Sequence, residues 1–181
     1  MYVVPISDSA ELVLPPVSTA EEVSALVLRN ADRLRRWESW DPDRFTVEHS
    51  RAWLQALIDD FAAGRRIGTY VRVAEELAGW ASLDIRGHIG EMGYWLDAGY
   101  EGQGLATSAV RTLLDLAFGQ RALERVELRT SIANDRSRAV AMRLGFRYEG
   151  TLRHAIRLPA GGFEDEMLFA LLAEEWVAAR T

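Results

Sequence analysis

Residues 91–118 constrain the fold of this chain more than any other stretch. Glu91–Leu96 alternates like a strand, and Leu105–Phe118 places Val110, Leu113, Leu114 and Ala117 on one helical face. Between them stands Glu101-Gly102-Gln103-Gly104-Leu105-Ala106-Thr107. Glycines admit positive φ and keep side chains out of a ligand's path. The helix that follows offers unpaired N–H groups and the positive end of its dipole. Strand, turn and helix together predict an anion site suited to a phosphate or pyrophosphate. On these residues alone three readings stay open: a turn with no ligand, a phosphate site, and a dinucleotide site. The last draws on Gly102-x-Gly104 and on Glu127, which lies roughly 20 residues further on. Against it, Thr107 occupies the third fingerprint position. The nucleotide-triphosphate loop fails for want of Gly-Lys-Ser/Thr.

Around this unit the pattern predicts an α/β fold with a mixed, largely antiparallel sheet. Glu11–Leu14, stopped by Pro15-Pro16, reads as a first strand, and Thr19 to about Asn30 as a helix. Arg35-Arg36-Trp37-Glu38-Ser39-Trp40-Asp41-Pro42 mixes aromatic and charged residues. Thr46 caps a second helix, with Trp53, Leu57, Ile58 and Phe61 at helical spacing and Gly64 at its end. Thr69–Ala74 and Leu77–Ile85 are strands separated by Glu75-Glu76, hence an antiparallel hairpin. That hairpin does not belong in a parallel dinucleotide unit. Arg125–Thr130 is a strand, Asn134–Leu144 a helix closed by Gly145, and Tyr148–Leu158 and Glu166–Leu172 the last strands, joined through Pro159-Ala160-Gly161-Gly162. The expectation is one domain over residues 1–181, with about seven strands and four helices.

Composition narrows the function classes. The chain carries 21 basic and 27 acidic residues, net −6, and so lacks broad electrostatic footing on a phosphate backbone. Direct nucleic-acid binding is not expected. A cationic partner, such as an amine, is compatible. There is no cysteine, which excludes disulfides, a cysteine nucleophile and thiolate metal sites, and fits a reducing cytoplasm. Met1-Tyr2-Val3-Val4-Pro5 does not read as a signal peptide, and no apolar run reaches the length of a membrane span. His49, His88 and His154 have no metal-type spacing, so no metal is expected. A homodimer is compatible with the sequence.

Several segments taken together carry a family resemblance. They are Gly90-Glu91-Met92-Gly93-Tyr94-Trp95-Leu96-Asp97, Gly102-Gln103-Gly104-Leu105-Ala106-Thr107, Asn134-x-x-Ser137, Leu144-Gly145-Phe146 and Asp165-x-x-x-Phe169-x-x-Leu172-x-x-Glu175-Trp176. In these the chain resembles the GNAT superfamily of N-acetyltransferases, and within it the ribosomal-protein N-terminal (Rim-type) branch. The resemblance implies a V-splayed sheet with acetyl-CoA entering between the fourth and fifth predicted strands. It also implies that the pantetheine pairs with Tyr94, Trp95 and Leu96 like an added strand. The family's pyrophosphate turn, Arg/Gln-x-x-Gly-x-Gly/Ala, falls on Glu101, Gly104 and Ala106. Glu101 departs from it, because a carboxylate cannot donate to a phosphate. Binding is therefore expected to rest on the backbone of Gly102, Gln103, Gly104, Leu105, Ala106 and Thr107.

The implied activity is direct transfer of an acetyl group from acetyl-CoA to a primary amine, first of all a protein N-terminus. A small-molecule amine (an aminoacyl nucleotide, antibiotic or polyamine) and a non-catalytic acyl-CoA-binding module are the alternatives. Such a reaction needs a base, an oxyanion donor and an acid for the leaving thiolate. Alternation puts Glu91, Gly93 and Trp95 on one strand face, and Glu91 is the first candidate base, with Asp165 second. The oxyanion would be held by a backbone N–H near Tyr94–Leu96. Many family members place a tyrosine acid where this chain has Ala141. In the Rim branch a serine at the Ser137 position is implied in protonating the thiolate or holding the sulfur. Asn134 is implied at the pantetheine, or as a helix cap. Trp37 and Trp40 fall where the family builds its acceptor pocket, Arg35 and Arg36 lie beside them, and Tyr100 could flank the CoA mouth.

Overall fold

The computed structural model describes residues 2–159 and 161–178. Its strands are β1 (Val3–Pro5), β2 (Ala10–Val13), β3 (Arg66–Val73), β4 (Glu76–Arg86), β5 (Ile89–Leu96), β6 (Arg125–Ser131), β7 (Arg147–Arg157) and β8 (Phe163–Leu172). Its α-helices are α1 (Ala20–Arg29), α2 (Ala31–Trp37), α3 (Val47–Ala62), α4 (Leu105–Asp115), α5 (Asp135–Arg143) and α6 (Ala173–Ala178). Among the described residues, eight strands and six α-helices stand against the expected seven strands and four helices. The additions are β1, α2 and α6, each of three to seven residues. The predicted join between the last strands includes Ala160, and the N-terminal reading includes Met1; both lie outside the described residues.

The strands form one sheet in the order β1-β2-β3-β4-β5-β6-β8-β7. All neighbours are antiparallel except β5 and β6. Alternation divides the sheet into two apolar faces. On the back face, Met92, Val126 and Leu128 pack with Ala109, Val110, Leu113 and Leu114 of α4 and Val140 and Ala141 of α5. On the front face, Val13, Tyr70 and Leu77 pack with Val23, Leu26 and Val27 of α1 and Leu54 and Leu57 of α3. Each fully buried leucine contributes about 1.5–3 kcal/mol from burial. These two layers clamp β4 and β5 and leave little freedom in where β5 ends.

The parallel ladder is short. It joins only Ile89, Gly90, Glu91 and Met92 of β5 to Arg125, Val126, Glu127 and Leu128 of β6. Strand β5 then continues to Leu96, still paired with β4 through Gly79–Ser82. The close approach of β4 requires glycine at position 79, where a Cβ would stand 2.3 Å from the Trp95 carbonyl oxygen. Strand β6 runs on to Ser131 beside β8. Beyond Met92 the two central strands therefore diverge, and the edge of β5 toward β6 has no strand partner among the described residues.

Candidate active site

Two helices begin at the divergence, and their N-termini differ. The first turn of α5 satisfies itself, since Asn134 Oδ1 accepts from the Ser137 N–H at 3.0 Å. The first turn of α4 does not. Its N-cap is Gly104, at φ 80° in the left-handed region, with no side chain to cap the helix. Gly102 is also left-handed, at φ 75°. The N–H groups of residues 102–107 make no hydrogen bond among the described residues. Nothing stands within 4 Å of a Cβ built on Gly102 or Gly104. Unpaired donors, a helix dipole and open space fit the pyrophosphate of CoA.

Arginines surround this turn. Glu101, which departs from the family pattern, binds Arg33 of α2 and Arg136 of α5. Arg143 Nη1 donates to Thr107 Oγ1 at 2.9 Å. Glu101 therefore serves as an anchor for cations drawn from opposite sides of the sheet. Gln103 is tied to its own loop through Nε2 and the Gly99 carbonyl, at 3.0 Å. Tyr100 hydrogen-bonds Glu76 at 2.9 Å on the exposed rim.

Tyr94 and Ser137 meet across the divergence. The Tyr94 hydroxyl lies 3.0 Å from Ser137 Oγ. Burial pushes the Tyr94 phenol up to about 12, outweighing the lowering by Ser137 and Arg143. Tyr94 thus holds its proton at neutral pH, in contact with the serine. The position of the missing acid, Ala141, is fully buried in the back-face core. Both hydroxyl residues are legible in the sequence, but their pairing, between residues 43 positions apart, is not.

The front face carries the carboxylates. Glu91 is ion-paired with Arg86, and Arg129 Nε stands 4.0 Å from it. Arg129 also binds Glu127 at 3.0 Å and Glu166 at 3.4 Å. Burial raises the Glu166 carboxyl, Arg129 lowers it and Glu91 raises it further. Glu166 was missed because it reads as an ordinary polar position in the last strand. Asp165, by contrast, accepts from the His154 N–H at 2.8 Å, so its carboxylate fastens the β7–β8 hairpin.

The end of α1 and the first turn of α2, which lead to the aromatic segment, lie at the end of β5. Arg29 and Asn30 both donate to Asp97 Oδ2, at 2.6 and 2.9 Å. Burial alone would raise the Asp97 carboxyl; these donors and the Gly99 N–H instead lower it to about 2. One turn on, Arg33 donates to the Leu96 carbonyl at 3.3 Å. Trp37 closes α2 beneath the Arg36 guanidinium, 4.5 Å from its ring centroid. Trp40 and Trp95 both pack against the front-face cluster, and the Trp40 ring is tilted on Phe45 with centroids 5.1 Å apart. Among the described residues no cluster of His, Asp or Glu is suited to a metal ion.

An open parallel joint at β5 and β6, with an uncapped helix behind it, defines a protein that binds an acyl-CoA and transfers its acyl group. The family model for the acetyltransferase (GNAT) domain matches residues 11–147, and the chain belongs to that family. It is an acetyl-CoA-dependent N-acetyltransferase. It is 28% identical to YdaF of Bacillus subtilis, a protein named provisionally as a ribosomal N-acetyltransferase, over 97% of this chain and 98% of that one. It is 26% identical to the ribosomal-protein-serine acetyltransferase of Escherichia coli, over 93% and 96% of the two chains. Its fold matches that of RimL, a ribosomal L7/L12 α-N-protein acetyltransferase solved with coenzyme A, with a TM-score of 0.90. That match has 26% identity and covers 96% of this chain and 99% of the other.

Proposed function

We propose that this acetyltransferase modifies a free protein N-terminal α-amine, of the ribosomal-protein kind, in the cytoplasm. The observation that carries the reading is the four-pair ladder between β5 and β6, which leaves the end of β5 unpaired beside an uncapped glycine turn. Relatives similar over nearly their whole length support the acceptor class.

Acetyl-CoA supplies an activated thioester when bound. Residues 102–107 would hold its pyrophosphate through backbone N–H groups, with Arg136 and Arg143 nearby. The free edge of β5 at Tyr94, Trp95 and Leu96 would align the pantetheine as an added strand and offer an N–H to the developing oxyanion. Asn134, its Oδ1 engaged in the cap, keeps an amide N–H₂ for the same chain. Glu91 takes the proton of the attacking amine, through water, once it leaves Arg86. The new bond is amide C–N and the broken one is C–S. Ser137 gives a proton to the departing sulfur and regains one from solvent through Tyr94, while Glu91 returns its proton to water.

Thiol release tests this. Acetyl-CoA is mixed with peptides bearing a free N-terminal serine or alanine, with small amines, and with an aminoacyl nucleotide. Release with the peptides, reduced about 100-fold in Glu91→Gln, is the expected result. Release only with small molecules transfers the assignment to that class. If acetyl-CoA binds and no amine consumes it, the chain is a binding module.

A further inference from the structure

Glu38 stands out among the carboxylates of this chain. It follows α2 directly, its N–H donating to the Leu34 carbonyl at 2.8 Å. Its side chain accepts from the Trp40 indole N–H at 2.9 Å. It is half-buried, and burial raises its carboxyl above the usual range against the lowering effect of that indole. Yet no arginine, lysine or histidine nitrogen lies within 4.0 Å of it among the described residues. Its neighbours are engaged elsewhere. Arg35 binds Asp32 and Asp43, Arg36 lies over Trp37, and Arg33 binds Glu101 and the Leu96 carbonyl. Other partly buried carboxylates, such as Asp97, Glu101 and Glu127, each hold an arginine.

A desolvated carboxylate without a counter-charge is costly, and a cation arriving from outside offsets that cost. Trp37 and Trp40 flank Glu38 in the chain, Trp40 in direct contact with it, and aromatic faces attract ammonium groups. The Arg33 contact to Leu96 ties the end of α2 to the diverging end of β5, and Trp40 and Trp95 lie against the same front-face cluster. We propose that Glu38 receives the acceptor's ammonium group, with Trp37 and Trp40 as its walls, and so selects acceptors that arrive as cations. The inference rests on the acetyl-transfer reading for its role, but its binding event is separable from transfer.

The test pairs binding with turnover in the wild type and in Glu38→Gln, which keeps an acceptor for the Trp40 N–H while removing the charge. Phenyltrimethylammonium serves as a cation that cannot be acetylated, followed through quenching of tryptophan fluorescence. It should bind the wild type and bind Glu38→Gln about 10- to 100-fold more weakly, as expected for loss of a charge-assisted contact. KM for a peptide with a free N-terminal serine should rise by a similar factor, with kcat and CoA affinity nearly unchanged. Failure of the wild type to bind the cation, or equal binding by the variant, overturns the assignment. So does a variant that loses kcat but keeps its KM and its cation affinity. A wild type that binds the cation but acetylates no amine leaves the ammonium site standing and rejects the transfer reading.

Discussion

The uncapped turn makes its strongest prediction at Gly104. Its φ of 80° lies in the left-handed region, where an L-residue costs roughly 1–2 kcal/mol. A Cβ there meets nothing within 4 Å, so the first side-chain carbon adds no clash to that strain. Gly104→Trp should therefore fold. In a chain of 181 residues that strain lowers Tm by about 2–8 °C. Ligand binding should suffer far more. The indole would occupy the space in front of the free N–H groups of residues 102–107 and displace an anion from two or three of them. At about 1.5–3 kcal/mol per hydrogen bond to a charged group, the loss exceeds ~100-fold in Kd. Isothermal titration calorimetry with CoA, alongside a thermal melt, reads both quantities. Gly150→Trp is the control, a glycine with equally open space far along β7. Unchanged CoA affinity in a folded Gly104→Trp would refute the assignment of the turn.

Other consequences follow from the same geometry. Ser137→Ala and Tyr94→Phe should each lower kcat by about 10- to 100-fold with CoA affinity preserved, measured by thiol release and calorimetry. Because Tyr94 sits near 12, neither the wild type nor Ser137→Ala should show a basic limb from it below about pH 10. Glu101→Gln removes a negative charge from beside the turn and frees Arg136, whose side chain is 80% exposed. CoA affinity should rise a few-fold, with a change in stability of under about 1 kcal/mol. Asp97, lowered to about 2 against an ordinary 3.8, contributes stability that is fully present above pH 4 and is lost as pH falls through its folded value. After allowance for solvent screening, Asp97→Asn should cost about 1–2 kcal/mol at pH 7 in urea melts. Near pH 2 the gap from wild type should narrow.

The sequence revealed most where local pattern and tertiary structure agree. The alternation of β5, the single apolar face of α4 and the hairpin of β3 and β4 all survive in the fold because burial enforces the periods that announce them. Thr46 was readable as a cap for the same reason, its Oγ1 accepting from the His49 N–H at 3.2 Å. Helix α2 was not readable. It buries only Ala31 and Leu34, and its Arg33 acts on Leu96 and Glu101, far along the chain. Strand β1 is three residues long and ends in proline, too short for a period to show. Within the site, the glycine turn and Ser137 were legible as motifs. The Tyr94–Ser137 contact, the two arginines on Glu101 and the lone Glu38 carboxylate were not, because each depends on segments brought together only by the sheet. Glu91 was legible as a strand carboxylate that an arginine could pair, but Arg86 as that partner, across the β4–β5 hairpin, was not.

Acetyl-CoA should lie along the open edge of β5 with its pyrophosphate on the uncapped turn of α4. A crystal structure with CoA tests this most directly. The pantetheine should pair with the backbone of residues 93–96, the pyrophosphate should accept from N–H groups within residues 102–107, and the sulfur should lie near Ser137 Oγ. CoA bound elsewhere, or the sulfur pointing away from the Tyr94–Ser137 pair, would contradict it.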